Sequence, residues 1–145
     1  MVTLRPGVLR LLSEARAEGL RLAIATTTSP KNVLDLLEGT IGPTAIGWFE
    51  VIAAGDSVRN KKPSPEIYLS VLETMRLRPE ACLAFEDSAN GLAASLAAGI
   101  ATSITVSSFT EHERFPGAVA VELHLRHFDR ALAGVRAPRR FGDVL

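Results

Sequence analysis

Short apolar runs alternate with helical patterns along most of this chain. The runs begin near Leu20, Phe49, Cys82 and Thr102, and segments with apolar residues at helical spacing lie between them. Parallel strands joined by helical crossovers explain this alternation, because each right-handed crossover returns the chain to the same sheet. We therefore predict a three-layer, Rossmann-like α/β fold, in which a mostly parallel sheet carries helices on both faces.

Capping residues mark where the predicted helices begin and end. Ser29 and Ser64 each precede a proline, which is typical of a helix start, and Ser88 precedes a further helical pattern. Gly19 and Gly99 follow the first helix and the helix after Ser88, where glycine is the usual terminating residue. These signals predict helix boundaries independently of the apolar pattern.

The end of the chain is less regular than the rest. A weak strand over residues 119–121 and a helix over residues 125–132 follow the fourth apolar run. The segment 136–145 contains three arginines and a proline and is predicted to be a loosely ordered tail. We therefore divide the chain into a partial core domain, 1–135, and this tail.

Composition narrows the function classes. The 16 Lys and Arg residues balance 16 Asp and Glu residues, so no broad basic field favours nucleic acid or an anionic membrane. The sequence contains no apolar run as long as a membrane-spanning helix. Cys82 is the only cysteine, which excludes an internal disulfide and fits a cytoplasmic protein. A ligand must then be held by a few local groups.

Three polar features fall at the predicted ends of strands or the starts of helices. Thr26-Thr27-Thr28 ends the first strand, Lys61-Lys62-Pro63 precedes a helix, and Glu86-Asp87 ends the third strand. In open parallel sheets, ligands bind beyond the carboxyl ends of the strands. Each feature also has a simpler interpretation, since the hydroxyls and acids can cap helices and the lysines can be solvated surface charges. Together the three predict a phosphate clamp beside a divalent metal.

The motifs as a set resemble a known family. The segment 23–29, Gly55-Asp56 followed by the segment 62–68, and Phe85-Glu86-Asp87-Ser88-Ala89-Asn90-Gly91 are similar to motifs of the haloacid dehalogenase superfamily. The nearest branch is that of the CbbY and β-phosphoglucomutase-like phosphatases. The resemblance covers about residues 5–99, which correspond to the C-terminal part of the family's core domain.

For the phosphate, the resemblance implies roles for three residues. Thr26 corresponds to the hydroxyl that binds the transferring phosphoryl group, and Thr27 presents its backbone N–H beside it. Lys62 corresponds to the lysine that neutralises the phosphoryl oxygens. Thr26 and Lys62 are thus the candidate catalytic residues.

For the metal, the resemblance implies Mg²⁺ as the cofactor. Asp87 corresponds to a direct ligand, and Glu86 to a ligand or an acceptor from metal-bound water. Asn90 and Ser88 are expected to support this shell. The expected partner is a small phosphorylated metabolite.

The sequence departs from the family in one respect. The family's Asp-x-Asp-Gly motif, which follows its first strand and supplies the nucleophile, has no counterpart here, nor does the helical cap domain. We therefore expect a core without its nucleophile strand, and a chain that is inactive alone. A fragment, a truncated gene model or half of a two-part protein each explains this. A complementing N-terminal segment or self-association is then expected, because loss of a central strand exposes two strand edges.

Three functions remain open at this point. The first is a Mg²⁺-dependent phosphatase acting on a small sugar phosphate, of which this chain is the phosphate- and metal-binding segment. The second is an inactive fragment or binding remnant that keeps the fold without turnover. The third, a receiver-type signalling domain, needs its acids early and its lysine late, which reverses the order of Lys62 and Glu86-Asp87.

Overall fold

The computed structural model describes residues 2–123. The helix predicted over 125–132 and the tail over 136–145 lie outside this range. The helices are α1 (Val8–Ala17), α2 (Pro30–Thr40), α3 (Glu66–Met75) and α4 (Ala89–Ala97), with 3₁₀ helices at Pro43–Trp48, Gly55–Ser57 and Pro79–Ala81. The strands are β1 (Leu22–Ala25), β2 (Phe49–Ala53), β3 (Leu83–Glu86), β4 (Ala101–Thr105) and β5 (Ala120–Glu122). None of the described helices meets the length and apolarity needed to cross a membrane.

Most of the predicted helix boundaries are confirmed. Ser29 accepts a hydrogen bond from the backbone N–H of Asn32 at 3.3 Å, and Ser88 accepts one from Gly91 at 3.1 Å. Gly19 and Gly99 adopt positive φ angles of 74° and 82° two residues beyond the ends of α1 and α4. The start of α3 differs from the prediction, because Pro65 is the cap residue and the helix begins at Glu66.

Helices cover both faces of β1 and β2, as predicted. Ala23 and Ala25 of β1 pack against the cluster that contains the buried side chains of α3 and α4. Leu22 and Ile24 point the other way, toward clusters that include Ala15 of α1 and residues of α2. Since successive strand residues face opposite sides, this alternation assigns α1 and α2 to one layer and α3 to the other.

An irregularity in the pairing of β1 with β2 keeps the layers consistent. Leu22 pairs with Phe49 but Ala23 pairs with Val51, so Glu50 is an extra residue in β2. An extra residue of this kind shifts the following side chains to the opposite face. Phe49 therefore packs with Leu22, and Val51 packs with Ala23.

The strands form two separate parallel sheets within residues 2–123. β1 pairs only with β2, whereas β3, β4 and β5 form a second sheet in that order. β1 and β3 thus each have one edge that no described strand occupies.

Candidate active site

Lys62 connects the carboxyl ends of the two sheets. Its ammonium group donates a hydrogen bond to the carbonyl oxygen of Ala25, the last residue of β1, at 3.1 Å. It also forms a salt bridge with the carboxylate of Glu86, the last residue of β3. The chain reaches this position through the loop before α3, in which the Lys62–Pro63 peptide bond is cis. Lys62 and Glu86, from two of the three predicted features, are therefore in direct contact. The third feature, the threonine turn, is joined to them through Ala25, the residue before Thr26.

Glu86 is the centre of the polar contacts at this edge. Its carboxylate accepts hydrogen bonds from Lys62 and from the hydroxyl of Tyr68, and its side chain is 8% exposed. The Lys62 ammonium also lies 5.1 Å from the centre of the Tyr68 ring. A buried carboxylate needs this compensation, because an unpaired charge away from water is strongly destabilising.

Tyr68 remains a hydrogen-bond donor at any ordinary pH. Burial, together with the neighbouring negative charge of Glu86, raises the pKa of this tyrosine well above its usual value of 10.0. The hydroxyl therefore stays protonated and donates a hydrogen bond to the carboxylate of Glu86. Tyr68 and Lys62 thus hold Glu86 from two sides, and both belong to the segment 62–68.

Gly91 makes the position of Glu86 sterically possible. A Cβ atom on this glycine would lie 2.0 Å from Oε2 and 2.4 Å from Cδ of Glu86. Any larger residue at position 91, in the first turn of α4, would therefore push the carboxylate away from its present site. The glycine that follows Asn90 has a steric role that the spacing of polar residues does not reveal.

The loop after β1 forms the other side of the site. The N–H of Thr26 donates to the carbonyl of Ala53 at 2.9 Å, which extends the pairing of β1 with β2 by one residue. Its hydroxyl accepts a hydrogen bond from the N–H of Thr28 at 3.2 Å. Thr26 is half-buried, whereas Thr27 is exposed at the start of the turn that leads to α2. The Thr26 hydroxyl and the turn that follows it thus lie one residue beyond Ala25, whose carbonyl oxygen accepts the hydrogen bond from Lys62.

Gly55 ties this loop to the end of β2. Its N–H donates to the carbonyl of Thr28 at 2.8 Å. A Cβ at Gly55 would lie 2.3 Å from the carbonyl oxygen of Thr27, closer than real Cβ atoms approach. The conformation of the threonine turn therefore requires glycine at position 55.

The turn after β3 presents its polar groups to solvent. Asp87 and Asn90 are exposed, and Ser88 caps α4 through its hydroxyl. Glu113, in the loop after β4, accepts a further hydrogen bond from the N–H of Ala89 at 2.6 Å. Ser88 and Glu113 together satisfy backbone donors of the first turn of α4 and leave the carboxylate of Asp87 available to a ligand.

The donor set of this turn fits a magnesium ion. Among the described residues no group of three His, Cys, Asp or Glu side chains is close enough to form a complete metal cage. Mg²⁺ does not require one, since it is commonly held by one or two carboxylates, water and substrate phosphate. Asp87 is the exposed carboxylate, and Glu86 adjoins it but is already bound by Lys62 and Tyr68.

Three contributors to the site were not predicted from the sequence. Tyr68 carries no signal beyond its place in the helical pattern, and Gly55 and Gly91 are recognisable only from the close contacts they allow. The sequence signal that could have identified them is their position inside the segments that resemble motifs of the haloacid dehalogenase superfamily.

A comparison with protein families matches residues 1–99 to a model described as a haloacid dehalogenase-like hydrolase. Among curated proteins, the chain is 51% identical over 117 residues to protein CbbY of Rhodobacter capsulatus, covering 81% of this chain and 52% of that protein. It is 40% identical over 95 residues to a phosphorylated carbohydrates phosphatase of Thermotoga maritima, covering 66% of this chain and 43% of the relative. The chain thus spans about half the length of the curated relatives it matches.

Solved structures show the same fold. CbbY from Rhodobacter sphaeroides in complex with phosphate superposes with a TM-score of 0.87 at 42% identity, covering 94% of this chain and 60% of that one. A mutant of the same protein in complex with xylulose-(1,5)bisphosphate gives a TM-score of 0.84 at 42% identity, covering 93% and 60%.

Proposed function

This chain belongs to the haloacid dehalogenase-like hydrolase family, and we propose that it is the phosphate- and metal-binding segment of a Mg²⁺-dependent phosphatase that acts on a small sugar phosphate. The observation that carries the proposal is the position of Lys62, whose ammonium lies between the ends of β1 and β3. A cation held there has an acid pair on one side and a hydroxyl turn on the other, which is the arrangement that an incoming phosphate monoester needs.

Three groups would receive the phosphate. The hydroxyl of Thr26 and the backbone N–H of Thr27 would donate hydrogen bonds to phosphoryl oxygens at the start of the turn into α2. The ammonium of Lys62 would neutralise the same oxygens. Its contact with Ala25 supports this role, because the carbonyl holds the ammonium one residue before Thr26. Positioning and charge stabilisation of this kind account for most of the catalysis in phosphoryl transfer.

Asp87 and Glu86 would hold the metal. Asp87 is the proposed direct ligand, and Glu86 would contribute a ligand oxygen or accept a hydrogen bond from metal-bound water, with Asn90 and Ser88 in support. Bound Mg²⁺ supplies charge neutralisation at the phosphoryl oxygens. The chain's own contribution is to keep the Asp87 carboxylate exposed directly after Glu86, the residue that forms the salt bridge with Lys62.

The substrate class rests on the relatives. One relative is named as a phosphatase of phosphorylated carbohydrates, and another was solved with a five-carbon sugar bisphosphate. A small sugar phosphate is therefore the proposed substrate. The single cysteine supports a reducing compartment such as the cytoplasm.

We expect the 145-residue chain to bind without turning over substrate, because its sequence lacks the Asp-x-Asp motif. A binding remnant is the second candidate function. The phosphatase segment should hydrolyse a phosphate ester once a carboxylate nucleophile is supplied, whereas the binding remnant should not.

Calorimetric titration of the 145-residue chain with MgCl₂, and with inorganic phosphate in the presence of Mg²⁺, tests the proposal. Asp87→Asn should weaken Mg²⁺ binding and Lys62→Met should weaken phosphate binding, each by about tenfold or more, as expected for loss of a charged partner. The chain offers matched controls in Lys61→Met and Asp56→Asn, both exposed positions near the site.

Equal losses in Lys61→Met and Lys62→Met would refute the assignment of Lys62. Hydrolysis of acetyl phosphate by the chain alone, abolished in Asp87→Asn, would instead refute the expectation that it lacks a nucleophile. Titrations with no heat from either ligand, in a folded chain, would reject the site as a whole.

A further inference from the structure

The turn after β3 is held by a carboxylate from a distant part of the chain. Ala89 is the first residue of α4, and its N–H has no partner within the helix. Glu113, 24 residues later and half-buried, accepts a hydrogen bond from this N–H at 2.6 Å. A hydrogen bond to a charged acceptor is stronger than one between neutral groups. Glu113 therefore restrains the backbone two residues after Asp87.

The loop that carries Glu113, residues 106–119, is tied down at both ends. At its start, the guanidinium of Arg5 donates to the carbonyl of Thr105 at 2.8 Å and also to the carbonyl of Val106. At its end, the N–H of Val119 donates to the carbonyl of Thr102 in β4 at 2.9 Å. Both ends of the loop are thus fixed to the second sheet.

Contacts within the loop restrain the position of Glu113 further. Thr110 is buried; its hydroxyl accepts a hydrogen bond from the N–H of Ser107 at 3.0 Å, and its carbonyl accepts one from Glu113 at 2.9 Å. A Cβ on Gly117 would lie 2.9 Å from Cδ1 of Leu96, so the loop also packs against the body of α4. Glu113 thus contacts the turn after β3 from a restrained backbone.

Asp87 depends on this restraint more than a buried residue would. Its side chain is exposed, so its position is set by the backbone of the turn rather than by packing. It also follows Glu86, and two neighbouring carboxylates repel each other unless a cation lies between them. A ligand group that is fixed before the ion arrives loses less conformational freedom on binding.

We propose that Glu113 is a positioning residue, which holds the turn after β3 so that Asp87 presents its carboxylate to Mg²⁺. Glu113 does not coordinate the ion itself. Among residues 2–123, Glu86, Asp87 and Glu113 do not form a group of three acids that could hold a metal. The inference deepens the proposed function and rests on it for the role of Asp87 as a metal ligand.

Three substitutions of Glu113 separate its reach from its charge. Glu113→Gln keeps an oxygen at the same distance and removes the charge, whereas Glu113→Asp keeps the charge on a side chain one methylene shorter. Glu113→Ala removes both. Calorimetric titration of the 145-residue chain with MgCl₂ should show about tenfold weaker binding for Glu113→Ala and Glu113→Asp, as expected when a group that orients a metal ligand is lost. Glu113→Gln should stay within about threefold of the unaltered chain.

The matched control is Glu111→Ala, which removes an exposed carboxylate from the same loop and should leave Mg²⁺ affinity unchanged. Hydrogen–deuterium exchange without metal gives a second readout. In Glu113→Ala the amides of residues 89–91 should exchange faster, while those of β2 stay as they are. If Glu113→Ala fails to fold, the comparison of Glu113→Asp with Glu113→Gln remains a complete test.

The order of the variants decides between the possible roles of Glu113. Unchanged Mg²⁺ affinity in Glu113→Ala would overturn the inference. Stronger loss in Glu113→Gln than in Glu113→Asp would overturn it as well, because the charge and not the reach would then matter. If the unaltered chain bound no Mg²⁺, the proposed function would fail. Exchange at residues 89–91 would still decide whether Glu113 holds the turn.

Discussion

Gly55→Ala is a sharp test of how the threonine turn is built. The added Cβ would lie 2.3 Å from the carbonyl oxygen of Thr27, 3.0 Å from its carbonyl carbon and 3.3 Å from the carbonyl oxygen of Thr28. All three atoms belong to the backbone, so no side-chain rotation relieves the contact. The turn must move, and the hydrogen bond from Gly55 to Thr28 lengthens with it.

The expected loss of stability follows from two contributions. Overpacking that shifts backbone costs about 1–3 kcal/mol, and loss of a backbone hydrogen bond costs about 1 kcal/mol. The free energy of unfolding should therefore fall by about 2–4 kcal/mol. For a domain of this size, Tm should fall by roughly 5–15 °C. Phosphate binding should weaken as well, because Thr27 moves with the turn.

Gly39→Ala is the matched control. Gly39 lies inside α2, and a Cβ there would meet nothing within 4 Å. Alanine should stabilise the helix by about 0.5–1 kcal/mol, since glycine is a poor helix former. Urea unfolding followed by circular dichroism measures both variants. If Gly55→Ala stayed within about 0.5 kcal/mol of the unaltered chain, the steric argument would be refuted.

Three further predictions concern individual side chains. Tyr68→Phe removes a donor to the buried carboxylate of Glu86 and should lower the free energy of unfolding by about 1–3 kcal/mol; an unchanged urea midpoint would contradict that hydrogen bond. Burial raises the pKa of the Cys82 thiol from 9.0 to about 11, so iodoacetamide at pH 8 should alkylate the folded chain about a hundredfold more slowly than the urea-unfolded chain. The same shift of the Cys82 pKa contributes stability below pH 9 that is lost as the pH rises to 11. Equal alkylation rates for the folded and the unfolded chain would disprove the shift. Backbone hydrogen bonds from the preceding loop lower the pKa of Glu66 below 4.5, so its stabilisation is present above that pH and is lost as the pH falls. Tm measured from pH 7 to pH 3 should show the difference between the unaltered chain and Glu66→Gln shrinking on acidification, and a difference that stayed constant would contradict the lowered pKa of Glu66.

The local structure was predictable because its signals are local. Strands β1 to β4 begin within two residues of the predicted starts of the apolar runs, and β5 lies one residue from its predicted position. The caps at Ser29 and Ser88 form hydrogen bonds to residues three positions away, a distance that a sequence pattern represents directly. The rule that ligands bind at the carboxyl ends of parallel strands then indicated where the polar residues would meet.

Contacts between distant segments needed the tertiary structure. Lys62 was predicted to face an anion, yet its ammonium is bound by Glu86, which lies 24 residues later in the chain. Nothing in the spacing distinguishes Lys62 from Lys61, because side-chain direction at a loop depends on how the loop folds. The partnership of Tyr68 with Glu86 has the same origin, since α3 must pack beside β3 before the two side chains meet.

The sequence by itself determined the order of the elements, the layers and the residues at the strand ends, because periodicity and capping act over a few residues. Only the tertiary structure decided that the strands within residues 2–123 form two sheets with an apolar cavity between them, since strand pairing joins segments far apart in the chain. It also decided which glycines are needed for close contacts. Gly55 and Gly91 allow backbone and carboxylate to approach closely, whereas at Gly39 a side chain would meet open space.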